Sequence, residues 1–133
     1  MKKQHNWQTR LATYITQNQE RPFEWGKFDC CLFAADCVQA MTGQDPAAEF
    51  RGRYKTKLGA AKALKRIGAG DLETTLHKIL GEPIKTHAQK GDICLVETED
   101  GPAAGVIYSR VIWVPGPAAL QALKQQPIKV WRI

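Results

Sequence analysis

The chain has 133 residues, a formal net charge of +6 and an apolar content of 44%. That length suits one domain around a single core, and no run of about 18 apolar residues is present to cross a membrane. The basic start from Met1 to Trp7 has no apolar segment behind it and does not read as a secretory signal.

The first element expected is an amphipathic helix between Asn6 and Gln19, because Trp7, Leu11, Tyr14 and Ile15 recur at helical spacing. It ends near Glu20-Arg21-Pro22, since proline cannot continue a helix. An aromatic loop follows, Pro22-Phe23-Glu24-Trp25-Gly26-Lys27-Phe28, and leads to Asp29-Cys30-Cys31. Asp29 is a good N-cap and Gly43 a good stop, so a second helix is predicted from Cys30. Cys30, Phe33, Ala34, Cys37 and Met41 share one face of it; Asp36 and Gln39 point the other way. Cys30 therefore stands in the first turn, where the partial positive charge of a helix N-terminus favours thiolate. That is where a nucleophile would be placed. The alternative is that Cys30, Cys31 and Cys37 are small core residues.

The four cysteines are Cys30, Cys31, Cys37 and Cys94. Adjacent Cys30 and Cys31 are expected on different sides of the helix. Cys30 and Cys37 lie two turns apart, about 10 Å, beyond disulfide reach. All four read as reduced thiols in a cytosol. No Cys-x-x-Cys or paired His accompanies them, so neither zinc nor any other cofactor is implied.

Gln44-Asp45-Pro46-Ala47 opens a short turn or helix. Thr56 caps a helix through Leu58, Ala61, Leu64, Lys65 and Ile67 that stops at Gly68 and Gly70. Asp71 caps another through Leu72, Leu76, Ile79 and Leu80, stopped by Gly81 and Pro83. Between them the chain is strongly basic. Arg51, Arg53, Lys55, Lys57, Lys62, Lys65 and Arg66 come with no acidic residue among them. Such a run suits a polyanion, or is simply a solvated face.

After residue 90 the pattern turns to strands. Ile93–Val96, Ala104–Tyr108 and Val111–Val114 are apolar runs, with a turn at Asp100-Gly101-Pro102, and Ile128–Ile133 alternates. Pro117–Gln125 is expected to be a short helix. Helices over about 1–81 followed by an antiparallel sheet or small barrel over about 90–133 make the chain a single α+β domain.

These residues resemble the NlpC-type branch of the papain-like cysteine peptidases, which cut peptide stems of bacterial cell walls. The family pattern is a Pro-aromatic-x-Trp-Gly loop and Asp-Cys-Ser-Gly-Phe opening a helix. Pro22-Phe23-Glu24-Trp25-Gly26 and Phe28-Asp29-Cys30-Cys31-Leu32-Phe33 match it, and Gly91-Asp92 matches the pair that opens the first strand. The resemblance implies an NlpC-like papain fold with Cys30 as nucleophile. It also implies a histidine on the next strand to take and return the proton. The matching stretch is Ala103-Ala104-Gly105-Val106-Ile107, with Ala103 at the histidine's place. Alanine handles no proton. Of the three histidines, His5 precedes the first helix and His77 sits within a helix. His87, in the loop before Gly91, is the best placed to act as base.

The chain is also similar, along nearly its whole length, to small NlpC-type proteins encoded among phage and prophage tail genes. Phe50-Arg51-Gly52-Arg53-Tyr54, Gly59-Ala60-Ala61 and Val130-Trp131-Arg132 carry that likeness. It implies a catalytically degenerate domain in tail or virion assembly, with other tail proteins or a peptide-like ligand as partners. Phe23, Trp25 and Phe28 would wall its binding cleft. Two other functions compete with it. One is an active cysteine peptidase or amidase using Cys30 and His87. The other is a polyanion-binding module using Arg51 to Arg66, Arg51 and Arg53 foremost, although no nucleic-acid motif accompanies the run and no nucleic acid is expected. The setting implied is the host cytoplasm, with or without a place in the virion.

Overall fold

Four helices precede a five-stranded antiparallel sheet in this computed structural model, which describes residues 1–133. The fold is α+β. The helices are α1 (Trp7–Gln17), α2 (Cys30–Thr42), α3 (Lys57–Arg66) and α4 (Leu72–Leu80). The strands are β1 (Ile93–Thr98), β2 (Gly101–Tyr108), β3 (Val111–Pro115), β4 (Leu120–Leu123) and β5 (Lys129–Trp131).

Helix α2 is the central element because its sequence is apolar nearly all round. Leu32, Phe33, Ala34, Ala35, Cys37, Val38 and Met41 are all buried. Its ends are set locally. The Asp29 side chain accepts the Leu32 N–H, and Gly43 takes the left-handed conformation that closes the last turn. Helix α1 lays Leu11 and Ile15 against α2, while Thr56 and Asp71 cap α3 and α4 as the sequence predicts.

The strand order is β4-β3-β2-β1-β5, with every neighbouring pair antiparallel. The two-residue period of a strand sorts the side chains onto two faces. Ile93, Ala104 and Val106 face the helices and join the core around Phe28, Phe33 and Cys37. Cys94, Val96, Ile107, Ile112, Val114 and Val130 pack on the opposite face with Ile84.

The helix expected over Pro117–Gln125 is not formed. That segment contains β4, paired with β3 from Ile112↔Leu123 to Pro115↔Leu120. Its alanines and leucines favour helix locally, but the outer edge of β3 would otherwise leave a row of backbone groups unpaired. The Leu120 N–H also bonds the Gln19 carbonyl at 2.9 Å, tying the strand to the segment after α1.

Candidate functional site

Cys30 begins α2, and its thiol meets a set of donors. The Cys31 Sγ lies 3.8 Å from the Cys30 Sγ, closer than opposite sides of a helix suggested. The nearby backbone amides of Ala104 and Cys31 also favour the charged form of the Cys30 sulfur. The Ala104 N–H is free to do so because β3 is registered to β2 only at Val106, Ile107 and Tyr108. Beyond that point β3 no longer takes the β2 amides. The Cys31 thiol, together with these two amides, holds the Cys30 thiol below its ordinary pKa despite its burial. Cys31 is pushed the other way, by its bond to Cys30 and by burial, and keeps its proton. Of the two sulfurs, Cys30 is thus the one that loses its proton more readily and Cys31 the one that keeps it.

Asp29 stands under this pair as the helix cap, almost fully buried. Its carboxyl accepts from the Gly26 N–H and the Leu32 N–H, both at 3.0 Å, and from the Tyr54 hydroxyl at 2.6 Å. With these bonds made it is placed to hold the loop and not to move a proton. Burial, followed by the Asp29 carboxyl, keeps the Tyr54 hydroxyl well above its ordinary pKa, so it stays a donor. Gly26 explains the Trp-Gly pair of the loop. It has φ +82, and a Cβ there would stand 2.0 Å from the Tyr54 carbonyl oxygen. Only glycine lets the two backbones approach this closely.

The aromatic loop divides its labour. Phe28 is fully buried and meets Phe33 edge-on, with ring centroids 5.7 Å apart, so it is a core residue and not the cleft wall expected of it. Trp25 is half-buried and meets Phe23 edge-on at 4.8 Å. Trp25 and Cys31 line an apolar cavity of about 90 Å³ between α2 and the α3–α4 pair, with Leu32, Phe50, Tyr54 and Leu76.

No histidine joins Cys30. His87 is exposed, and its carbonyl accepts from Arg132 Nη2 at 3.0 Å. Arg132 also clamps the buried Asp92 carboxyl, Nε at 3.1 Å and Nη2 at 3.0 Å. The adjoining Gly91 lies so close to the far end of α2 that a Cβ there would stand 3.1 Å from Met41 Sδ. Met41 is eleven residues beyond Cys30, which is about 16 Å along a helix axis. His87 is therefore anchored near the opposite end of α2 from the thiol. His77 is paired with Glu82 at 3.1 Å on the surface, and His5 is exposed.

Strand β2 holds Ala103, the position that the sequence resemblance sets against a histidine. Ala104, not Ala103, faces the helices; Ala103 packs on the far face with Cys94, Val96 and Ile107. The match through Gly105 thus names a residue whose side chain points away from α2. Both positions are alanine, so neither supplies a base.

Arg51 is not part of an open basic patch. Its Nη2 bonds Asp36 at 2.6 Å and its Nε bonds Asp45 at 2.6 Å, and Asp36 also accepts from the Tyr14 hydroxyl. Burial opposes the Arg51 charge, but the two carboxylates outweigh it and hold the guanidinium well above its ordinary pKa. The charge is spent joining α2 to the Asp45–Arg51 turn. Arg53 is exposed and unpaired.

The sequence places Asp29 as the cap and Cys30 behind it, but it does not show the Cys30–Cys31 sulfur contact or Tyr54 as the partner of the cap. Tyr54 lies twenty-five residues from Asp29, and no local pattern links them. No cluster of three or more His, Cys, Asp or Glu is placed to hold a metal ion, and no helix is long and apolar enough to cross a membrane.

A helix-borne thiol packed on an antiparallel sheet is the class of site that fold and geometry define. The chain belongs to the family described as Domain of unknown function (DUF6950), whose model matches residues 2–133. No curated protein matches the chain.

Proposed function

We propose that this protein is an NlpC-type papain-like domain that no longer hydrolyses peptides and serves as a binding component in phage or prophage tail assembly. The observation that carries the first half is the β2 strand beside Cys30, where both Ala103 and Ala104 lack a proton-transferring group. Acyl transfer from a peptide needs more than a nucleophile. The leaving amine must receive a proton, and in a thiol peptidase the base that activates the sulfur supplies it. Cys30 has donors that steady a thiolate, which helps the first requirement and does nothing for the second. The assembly role rests on the likeness to tail-gene proteins. The partners would be other tail proteins or a peptide-like segment, met in the host cytoplasm or in the particle.

A second reading is favoured by one observation, the lowered pKa of Cys30. A peptidase or amidase of unusual design would use Cys30 as nucleophile, with the Cys31 thiol 3.8 Å away, in place of His87, giving its proton to the leaving amine and regaining one from the water that releases the acyl group. The two readings separate in one assay. Purified protein and its Cys30→Ala variant are incubated with cell-wall stem peptides, and products are followed by mass spectrometry. The proposal expects no cleavage above the variant's background. Cleavage by the native chain that Cys30→Ala abolishes would overturn it and establish the enzyme.

A further inference from the structure

We propose that the outer face of α3, with the loop leading into it, docks an acidic, partly apolar segment of a partner protein. This surface is separate from the thiol site.

With Arg51 withdrawn into its ion pairs, six basic residues of the run remain exposed: Arg53, Lys55, Lys57, Lys62, Lys65 and Arg66. Every ion pair in the molecule lies elsewhere, at Glu24–Lys27, Asp36 and Asp45 with Arg51, His77–Glu82, Glu73–Lys129 and Asp92–Arg132. No acidic residue occurs between Glu49 and Asp71, and the Asp71 carboxyl is engaged in capping α4 through the Thr74 N–H. The positive field of this face therefore has no local counter-charge.

Helix stability does not account for the pattern. Lys65 and Arg66 in the last turn of α3 are favoured by the helix dipole. Lys57 in the first turn is opposed by it, as are Lys55 and Arg53 just upstream, and the first turn has no acidic residue to compensate. Three cations thus crowd the positive end of a ten-residue helix. The charges run from Lys57 to Arg66 over about 14 Å, the length of a short extended or helical contact. Such a surface is relieved of its self-repulsion when a row of anions lies along it.

The chemistry of the anions is indicated by what stands among the cations. Leu58 is 66% exposed, and Ala61 beside it on the next turn is exposed as well. Ala60, Ala63 and Ile67 supply the inward contacts, so Leu58 contributes nothing to the core. An apolar patch rimmed by charge is the layout of a protein interface. A phosphodiester backbone offers it no apolar partner, and the face carries no aromatic ring on which a base could stack. Carboxylates on a segment that also presents an apolar side chain satisfy both features.

The test uses two short synthetic peptides, one alternating Glu with Leu and one alternating Glu with Ser, and a DNA duplex of similar charge. Binding to the whole chain is measured by fluorescence anisotropy. The proposal expects the Glu/Leu peptide to bind best at low salt and to lose roughly tenfold in affinity between about 50 and about 300 mM salt. The double charge reversal Arg53→Glu with Lys57→Glu removes binding, while Lys124→Glu, an exposed site remote in sequence, does not. Leu58→Ser brings the Glu/Leu peptide down to the level of Glu/Ser. Circular dichroism confirms that each variant folds, so a loss of binding is read on a folded chain. Preference for the duplex at matched salt would overturn the proposal in favour of a polyphosphate surface. No binding of either peptide at low salt, or equal loss from Lys124→Glu, would reduce the face to an ordinary solvated helix.

Discussion

The two ends of α2 carry the two halves of one sequence pattern, Asp29-Cys30 and Gly91-Asp92, and they are used in opposite ways. At the Met41 end, Gly91 and Asp92 are consumed by the fold. Gly91 admits Trp7 and Met41 at close range, and Asp92 is clamped by Arg132 and the Gln89 N–H. At the Cys30 end, the capping carboxyl is equally consumed, but the Cys30 sulfur is not. It is supplied with donors and given nothing that would carry a proton away. Residues of one sequence pattern can therefore separate into those consumed by the fold and one left with free chemistry, and only their bonding partners reveal which is which.

The largest effect should come from breaking the scaffold under the thiol. Gly26→Ala places a Cβ against the Tyr54 carbonyl at positive φ and should cost about 3 kcal/mol of stability, read by urea unfolding. A value near zero would mean that the Tyr54 segment is free to shift. At the other end, Arg132→Ala leaves the buried Asp92 carboxyl with its backbone donor alone and should cost about 2–3 kcal/mol. The contrast sharpens if Cys30 in that variant, still folded, alkylates at its native rate. A changed rate would show that the two ends are coupled.

The remaining thiols give a smaller, pH-dependent effect. Burial pushes Cys94 up to about 12, from 9.0, and Cys37 is raised by burial and the nearby Asp36. A raised folded pKa means that the contribution to stability is complete below the unfolded value and is lost as pH climbs toward the folded one. The melting temperature should therefore fall as pH rises from about 9 toward about 12, and Cys94→Ala should flatten that decline. An unchanged slope in the variant would remove Cys94 from the account.

The smallest effect is an absence. Neighbouring Cα atoms are fixed about 3.8 Å apart, below the about 4.4 Å at which disulfides begin to fit. Mild oxidation should leave Cys30 and Cys31 unbridged, with no intramolecular loss of two hydrogens in the mass spectrum. A bridged product would show that the first turn of α2 deforms readily.

What could be foreseen from sequence was local. Asp29, Thr56 and Asp71 cap their helices because a cap needs only the next three residues. Strand β4 was not legible, since its alanines and leucines favour helix and its pairing with β3 is a tertiary fact. The face that Ala103 takes on β2 was hidden for a related reason. The glycine match fixes a register by one residue, and a strand reverses its side chains at every step. The fate of Arg51 was hidden because Asp36, one of its two partners, lies on another element. The cavity beside Cys31 is assembled from segments far apart in the chain and has no sequence signature.

The most direct test of a steadied thiolate without a base is the pH dependence of alkylation at each cysteine, resolved by mass spectrometry. Cys30 should react first, with a single inflection below 9.0 that rises in Cys31→Ala, while Cys37 and Cys94 stay silent. Two inflections at Cys30, the signature of an ion-paired base, or a profile like that of an ordinary thiol would contradict the account.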